Sequence, residues 1–471
     1  MSEVKRISSR RDVDMTEGNI FRHLVSFAIP LLLGNIFQQM YNMVDTWVVG
    51  NFVSTEAYSA VGTLGSVTNL MIGFFMGLAN GVGVVIARAY GSGDHEKVQR
   101  TVHSAAALTL VMGAAFTAIG FGLMPIIPKM LRLPEEVVDE ARIYLAVWLS
   151  GLIGLMTFNM GAGVLRAVGD SRRPFIFLVI AAVVNTALDL LFVLVFKWGV
   201  AGVAAATIIA QTTSGVLTTL TLIRTKNCIK LSPRRIRFHR DVTLESIKIG
   251  FPAGIQMSIT AFSNIFVQSY INYFGKEVMG GWTTYSKVDQ IILLPMQSLS
   301  LASSTFVGQN VGKGDLKRAK RGVNVALISS LAATATLIIP VVVFSGFFAD
   351  IFTDDPQVLA YGSTFLRNIT PFYILWCVNQ IYSGALRGSG NSIGPMIIML
   401  TSFVAFRQLY LFVVANFISN TIFPISMAFP AGWLLSAIIT FIYYHSVGLK
   451  GKRYKPQNPQ PENDIRKEET K

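Results

Sequence analysis

Cysteine, histidine and charged residues are all scarce in this sequence. Its 471 residues include 2 cysteines and 5 histidines, and 14% of them are charged. Two cysteines make no disulfide framework, and the histidines show no metal-ligand spacing. Soluble proteins usually carry about 25% charged residues. The low charge, together with 52% hydrophobic residues, therefore indicates a protein that crosses a membrane several times.

Enzyme motifs are missing as well. The sequence contains no G-x-S-x-G, no H-E-x-x-H and no aspartate-rich prenyltransferase motif, because the pair Asp354 and Asp355 stands alone in a loop. We therefore expect neither an enzyme nor a bound cofactor.

Apolar runs long enough to cross a bilayer dominate the chain. About 20 residues are needed for one helical crossing, and we predict twelve crossings. Their centres lie near residues 36, 70, 112, 150, 185, 211, 260, 293, 333, 372, 406 and 436. The fold class predicted is an all-α polytopic membrane protein, with twelve transmembrane helices in two pseudo-symmetric six-helix bundles.

The basic residues cluster in alternate loops. If there are twelve spans, the loops on one side carry most of the Lys and Arg residues, and those on the other side carry five: Lys129, Arg132, Arg142, Lys197 and Lys276. The positive-inside rule then predicts that both termini are cytoplasmic. We expect the protein in the cell membrane, in particular the bacterial inner membrane. This asymmetry explains the net charge of +14 without a nucleic-acid partner.

The two halves of the chain repeat each other at an offset of 221 residues. GAGVLRAVGDSRRP, from Gly161, aligns with YSGALRGSGNSIGP, so that Arg166 matches Arg387, and AYGSGD at Ala89 aligns with NVGKGD at Asn310. Six spans in each half give a parallel repeat, which is typical of transporters with a midplane cleft. The predicted regions are an N-terminal arm (1–22), an N-lobe (23–224), a basic linker (225–243), a C-lobe (244–448) and a polar tail (449–471).

A few polar residues lie inside the predicted spans of the N-lobe. Asp45 falls in the outer part of span 1, and Asn185 and Asp189, four residues apart, share one face of span 5. Thr207 in span 6 reaches a similar depth. Intramembrane carboxylates are costly and usually functional, so we predict a proton or sodium site here. The alternative is that Asn185 and Asp189 only hold helices together by hydrogen bonds.

The C-lobe carries different charges. Lys287 and Asp289 in span 8 and Arg407 in span 11 lie near the predicted midplane. We predict an Asp289–Arg407 ion pair with Lys287 nearby, which either fixes packing or switches in the cleft wall. Flexible and aromatic side chains suit varied lipophilic cations. The cleft candidates of this kind are Phe37, Met40, Tyr41, Met257, Tyr270 and Met296.

These features resemble the multidrug and toxic compound extrusion (MATE) family of cation-coupled antiporters. The resemblance rests on IPLLLGNIFQQMYNMVDTWVVG, LRAVGDSRRP and NTALD followed by AAATIIAQ. It implies that Asp45, Asn185, Asp189 and Thr207 form an N-lobe cation site and that Pro30 marks a bend in span 1. Spans 7 and 10 lack the acids of the NorM branch, so a sodium site in the C-lobe is not implied.

The resemblance implies efflux of lipophilic, mostly cationic compounds in exchange for H⁺ or Na⁺. A complete cleft within one chain makes a monomer sufficient. Two other functions stay open: export of a specific metabolite, and flipping of a lipid-linked saccharide, although such flippases commonly have extra spans. A channel is disfavoured because the acids of the predicted site lie in only one half.

Overall fold

The computed structural model describes residues 13–131 and 133–449. Within these ranges the chain forms helices and no β-strand, which confirms the predicted fold class. The first twelve residues of the predicted arm, Arg132, and residues 450–471 of the predicted tail lie outside the described residues.

Twelve helical spans follow one another, and every predicted centre falls inside one of them. They are Ile20–Phe52 (span 1), Thr55–Gly91 (span 2), His95–Leu123 (span 3), Glu135–Ser150 with Leu152–Ala167 (span 4), Arg172–Leu190 with the π-helix Leu191–Val195 (span 5), Gly199–Arg224 (span 6), Arg240–Asn272 (span 7), Lys276–Lys313 (span 8), Leu316–Val343 (span 9), Pro356–Ile369 with Thr370–Phe372 and Tyr373–Gly388 (span 10), Ile393–Met399 with Leu400–Phe406, Arg407–Val413 and Val414–Ile418 (span 11), and Ile422–Ser426 with Ala428–Val447 (span 12). Short helices at Ile127–Met130, Pro233–Arg235 and Ser345–Asp350 connect them.

Not every span is apolar and continuous enough to be recognised by composition. Among the described residues, nine helices are long and apolar enough to cross a membrane, or ten if the pair in span 4, bent by 47°, counts as one. Spans 7 and 10 complete the twelve. Span 10 is interrupted at Thr370–Phe372 and leaves helices of 14 and 16 residues, each too short to cross alone.

The internal repeat is visible in matching turns. Gly93 and Gly314, 221 positions apart, both have positive φ (76° and 89°), a conformation that glycine adopts without steric cost. The next residues, Asp94 and Asp315, each cap the following helix by accepting a hydrogen bond from the N–H three positions on, at 2.9 and 2.8 Å. These turns lie at the same end of the bundle as the turns at 168–171, 225–239 and 389–392. We call this end the basic face.

Spans 2 and 8 cross at the basic face with their backbones in contact. A Cβ atom on Gly91 would lie 1.9 Å from the carbonyl oxygen of Gln309, and one on Gly312 would lie 2.0 Å from that of Arg88. Arg88 and Gln309 are repeat equivalents, as are Gly91 and Gly312. The crossing is therefore two-fold symmetric and joins the two lobes.

A seam of glycines joins the lobes further along span 2. A Cβ on Gly77 would lie 2.2 Å from the backbone nitrogen of Gly254 in span 7, and one on Gly81 would lie 2.3 Å from the Cα of Gly250. Gly77 and Gly81 in span 2, and Gly250 and Gly254 in span 7, each have the G-x-x-x-G spacing that lets membrane helices approach closely. Only residues without a side chain fit at this distance.

Residues 13–17, which we call the strap, lie across the basic face. The buried Met15 donates its N–H to Gln309 Oε1 at 2.9 Å, and its carbonyl oxygen accepts from Arg318 Nε at 3.3 Å. The amide of Gln309 in turn donates to the Ala167 carbonyl at 2.9 Å. The strap is thus tied to the C-lobe directly and to the N-lobe through Gln309.

Candidate functional site

The four predicted cation ligands meet inside the N-lobe. The Thr207 hydroxyl of span 6 donates to Asp45 Oδ2 of span 1 at 3.3 Å. Asn185 and Asp189 of span 5 lie beside Asp45, and both are buried. Span 5 changes from α-helix to π-helix at Leu191, directly after these residues. Such π segments frequently occur at functional sites.

Several oxygens of this cluster lack a partner. Among the described residues, Asp45 Oδ1, both carboxylate oxygens of Asp189 and both side-chain polar atoms of Asn185 are buried without a hydrogen bond. Two neighbouring ionised carboxylates cannot bond to each other and repel each other. A proton shared between them, or a cation held by these hard oxygen donors, would satisfy the site. The donor set therefore fits either coupling ion.

The cluster opens into a cavity of about 660 Å³, which we call the N-lobe cavity. Asp45 and Thr207 form part of its wall, as does Tyr144 of span 4, which interacts electrostatically with both carboxylates. Tyr41, one turn before Asp45 in span 1, accepts a hydrogen bond from Gln211 at 3.1 Å. A rearrangement of span 1 at Asp45 would therefore reach the rest of the cavity wall through Tyr41.

A second cavity, of about 370 Å³, lies between the lobes, and we call it the central cavity. It shares Asn35, Met76 and Gln297 with the wall of the N-lobe cavity. Arg166 and Arg387 line it from opposite lobes. The shared residues make the two cavities neighbouring compartments at the interface of the lobes, where the repeat predicted a cleft.

The predicted cleft residues divide into two groups. Tyr41 lines the N-lobe cavity, and Met257 lines the central cavity. The others lie outside both linings: Phe37 packs against Phe175, Met40 is exposed, Met296 is buried in the C-lobe core, and Tyr270 packs against that core. Pro30 is buried within the continuous 33-residue helix of span 1, and the predicted bend there stays a prediction.

The predicted Asp289–Arg407 ion pair is not formed in the structure. Asp289 instead accepts a hydrogen bond from the Tyr373 hydroxyl. Arg407 donates to Ser263 Oγ at 3.3 Å and to Asn264 Oδ1 at 3.2 Å. Its guanidinium also stacks on two aromatic rings, Phe403 and Phe429, each at 4.4 Å. The prediction was wrong because similar depth in two spans does not make their side chains face each other.

Lys287 likewise takes no part in that network. Its side chain is exposed and lies over the ring of Phe352 at 5.3 Å. Tyr285 occupies the interior instead, and its hydroxyl is 3.0 Å from that of Tyr373. Sequence reasoning missed these two tyrosines, since aromatic residues are common throughout the spans and nothing in the sequence singled them out.

The two cavity arginines were also missed as site residues. Arg166 and Arg387 stood out only as matched positions of the internal repeat. The signal that could have found them is the repeat itself, because residues equivalent under a two-fold axis can meet at that axis. Both residues lie near the ends of their spans, where a surface location is usual, whereas the structure places both in the cavity wall.

Comparison with known proteins agrees with this architecture. The sequence model of the family described as MatE matches residues 30–191 and 252–412, one stretch in each lobe. The chain belongs to the MatE family. This confirms the resemblance to MATE transporters, and the protein is accordingly a membrane-spanning transporter of that family and not an enzyme.

Individual relatives cover nearly the whole chain. The probable multidrug resistance protein YpnP of Bacillus subtilis is 27% identical over 431 residues, which are 92% of this chain and 96% of the relative. An FAD transporter of Shewanella oneidensis is 25% identical over 394 residues, 82% of this chain and 86% of that one. A MOP superfamily transporter from Pyrococcus furiosus has the same fold, with a TM-score of 0.88 at 20% identity over 94% of this chain and 100% of that chain.

Proposed function

We propose that this MatE transporter is an antiporter that exports lipophilic, mostly cationic compounds in exchange for H⁺ or Na⁺. It works by alternating access as a monomer in the cell membrane, with the basic face and both termini in the cytoplasm. A bacterial inner membrane is the expected location, since the curated relatives above are bacterial. The excess of Lys and Arg on the basic face supports this orientation.

One observation carries the coupling proposal. Asp45 and Asp189 lie side by side inside the protein, and Asp45 Oδ1 and both carboxylate oxygens of Asp189 have no hydrogen-bond partner among the described residues. Asp45 also lines a cavity large enough for a drug-sized molecule. Packing alone would not require two acids side by side. A proton or sodium ion entering from the outside would offset one of the two negative charges and so relieve the repulsion between the carboxylates.

Exchange requires that ion and cargo disfavour each other's binding. Asp45 and Tyr41 lie one turn apart on span 1, so a change in the ionisation or ligation of Asp45 acts on the wall that contacts the cargo. A coupling free energy of about 1–3 kcal/mol between the two sites is typical of such linkage. The ion therefore promotes release of the cargo outside, and its own release inside allows the next molecule to bind.

The test uses proteoliposomes loaded with rhodamine 123, a lipophilic cation, under an imposed proton gradient or an imposed sodium gradient. Wild type is compared with Asp45→Asn and with Asp139→Asn, which changes an exposed carboxylate at the start of span 4. We expect one gradient to drive transport, Asp45→Asn to lose it and Asp139→Asn to keep it. Gradient-driven transport at the wild-type rate in Asp45→Asn would refute the coupling role.

A specific metabolite exporter is the second candidate. It is favoured by the similarity to the FAD transporter, which is about as close to this chain as some multidrug resistance relatives are. The discriminating measurement is export from cells that express the protein. Resistance to several unrelated dyes supports multidrug efflux, whereas accumulation of flavin in the medium without such resistance supports metabolite export.

A further inference from the structure

The central cavity carries positive charge from both lobes. Arg166 at the end of span 4 and Arg387 at the end of span 10 occupy equivalent positions of the repeat, and both line this cavity. Among the described residues that line it there is no Asp or Glu. The polar remainder of the wall consists of amides and hydroxyls, including Gln256, Gln297 and Gln380.

Neither arginine has an acidic partner within the described residues. Arg387 donates to two neutral groups, Gln256 Oε1 at 2.9 Å and Ser300 Oγ at 3.3 Å. The Arg166 side chain makes no hydrogen bond or ion pair with any described residue, and none of its guanidinium nitrogens is sealed off from the surrounding space. Its donors are therefore available to a molecule inside the cavity.

Two half-buried guanidinium groups that share one cavity without an acidic partner are electrostatically unfavourable. Charged side chains inside a protein are normally paired, because desolvation of an isolated ion costs several kcal/mol. Arginine presents a planar set of donors that matches a carboxylate or a phosphate. The cavity wall also offers apolar surface from Met257, Leu301 and Trp376.

We propose that the central cavity is a binding site for the anionic group of an amphipathic ligand, a carboxylate or a phosphate held between Arg166 and Arg387. The proposal rests on the transport function above only in treating the ligand as cargo. The two cavities then have opposite character: the carboxylate of Asp45 lines the N-lobe cavity and two arginines line the central cavity. The transporter then accepts anionic and zwitterionic amphiphiles as well as the cationic compounds proposed above.

The test compares two dyes that share a ring system and differ in charge. Fluorescein is an anion with a carboxylate, and rhodamine 123 is a cation. Binding of each to purified protein in phosphatidylcholine nanodiscs is followed by fluorescence anisotropy, without any ion gradient. Failure of gradient-driven transport therefore leaves this measurement unaffected, and the two proposals can fail separately.

Arg166→Gln is the informative variant, since the Arg166 side chain makes no hydrogen bond or ion pair within the described residues whose loss would destabilise the fold. We expect its fluorescein Kd to rise about tenfold, the effect of removing one charge-assisted contact, with rhodamine 123 binding unchanged or tighter. Arg166→Lys keeps the charge and should retain much of the affinity. Lys276→Gln removes a positive charge from an exposed site and should behave like wild type.

A lipid headgroup could supply the same anionic chemistry. Adding phosphatidylglycerol to the nanodiscs separates the two sources. Competition with fluorescein in wild type, and its absence in Arg166→Gln, supports the site and identifies a lipid as an occupant. Unchanged fluorescein binding with phosphatidylglycerol supports a soluble ligand. Equal fluorescein affinity in wild type and Arg166→Gln, or no fluorescein binding to wild type, would overturn the proposal.

Discussion

The glycine seam between spans 2 and 7 offers a sharp test of how the lobes are held together. Replacing Gly77 with Ala adds a single methyl group, which would stand 2.2 Å from the Gly254 nitrogen and 2.3 Å from its Cα. These are backbone atoms, so no side-chain rotation can make room. The two helices must move apart, and the tight contacts on either side of the position must open with them.

The size of the effect follows from these distances. Carbon atoms at their optimal separation are about 3.5–4.0 Å apart, so the spans must separate by more than roughly 1 Å at this point. Overpacking of this kind typically costs about 1–3 kcal/mol. Gly→Ala also raises helix propensity by about 0.5–1 kcal/mol, which partly offsets the clash. A control Gly→Ala substitution that raises helix propensity equally but meets no neighbour therefore shows how much of the stability change is due to the clash.

Gly65 in the same helix provides that control, because a Cβ there would have no neighbour within 4 Å. We expect Gly77→Ala to unfold at a lower temperature than Gly65→Ala in the same detergent, by an amount equivalent to about 1–3 kcal/mol. Gly81→Ala should behave like Gly77→Ala. If Gly77→Ala proved as stable as Gly65→Ala, the close approach of spans 2 and 7 would be wrong.

Two further predictions concern polar contacts. Tyr373→Phe removes the hydroxyl that donates to Asp289. Because the carboxylate is then left unsatisfied, the free energy of unfolding should fall by about 1–3 kcal/mol, as measured by thermal unfolding. An unchanged unfolding midpoint would show that this hydrogen bond contributes nothing to stability. Arg318→Ala removes three hydrogen bonds to the strap, two of them to the Met15 carbonyl. Limited proteolysis should then cut near the strap faster than in Lys317→Ala, which alters an exposed neighbour, and equal cleavage rates would contradict the anchoring role.

Much of the architecture could be read from the sequence. Most of the twelve spans follow from long runs of apolar residues, since the thickness of the bilayer fixes the length of a crossing, whereas spans 7 and 10 are less clearly marked by composition. The repeat follows from matched residues such as Gly93 and Gly314, which reappear as matching turns. The cluster of Asp45, Asn185, Asp189 and Thr207 was also predictable, because its members share one depth and the resemblance to MATE transporters linked them.

The C-lobe network shows where that reasoning stopped. Depth alone suggested that Asp289 and Arg407 would pair, yet Tyr373 contacts the carboxylate and neutral groups contact the arginine. Depth along a span follows from residue number, at about 1.5 Å per residue. The rotation of each helix about its axis, and the choice of neighbouring helix, do not.

The same limit of sequence reasoning applies to the two arginines of the central cavity, Arg166 and Arg387. The sequence by itself determined that Arg166 and Arg387 are equivalent and lie at the ends of spans. Only the tertiary structure decided that both face one cavity whose described lining residues include no acid. Hydrophobic length and periodicity act along the chain, so a single sequence carries them. The partner of a buried charge depends on how separate helices pack, and that is settled only when the whole bundle assembles.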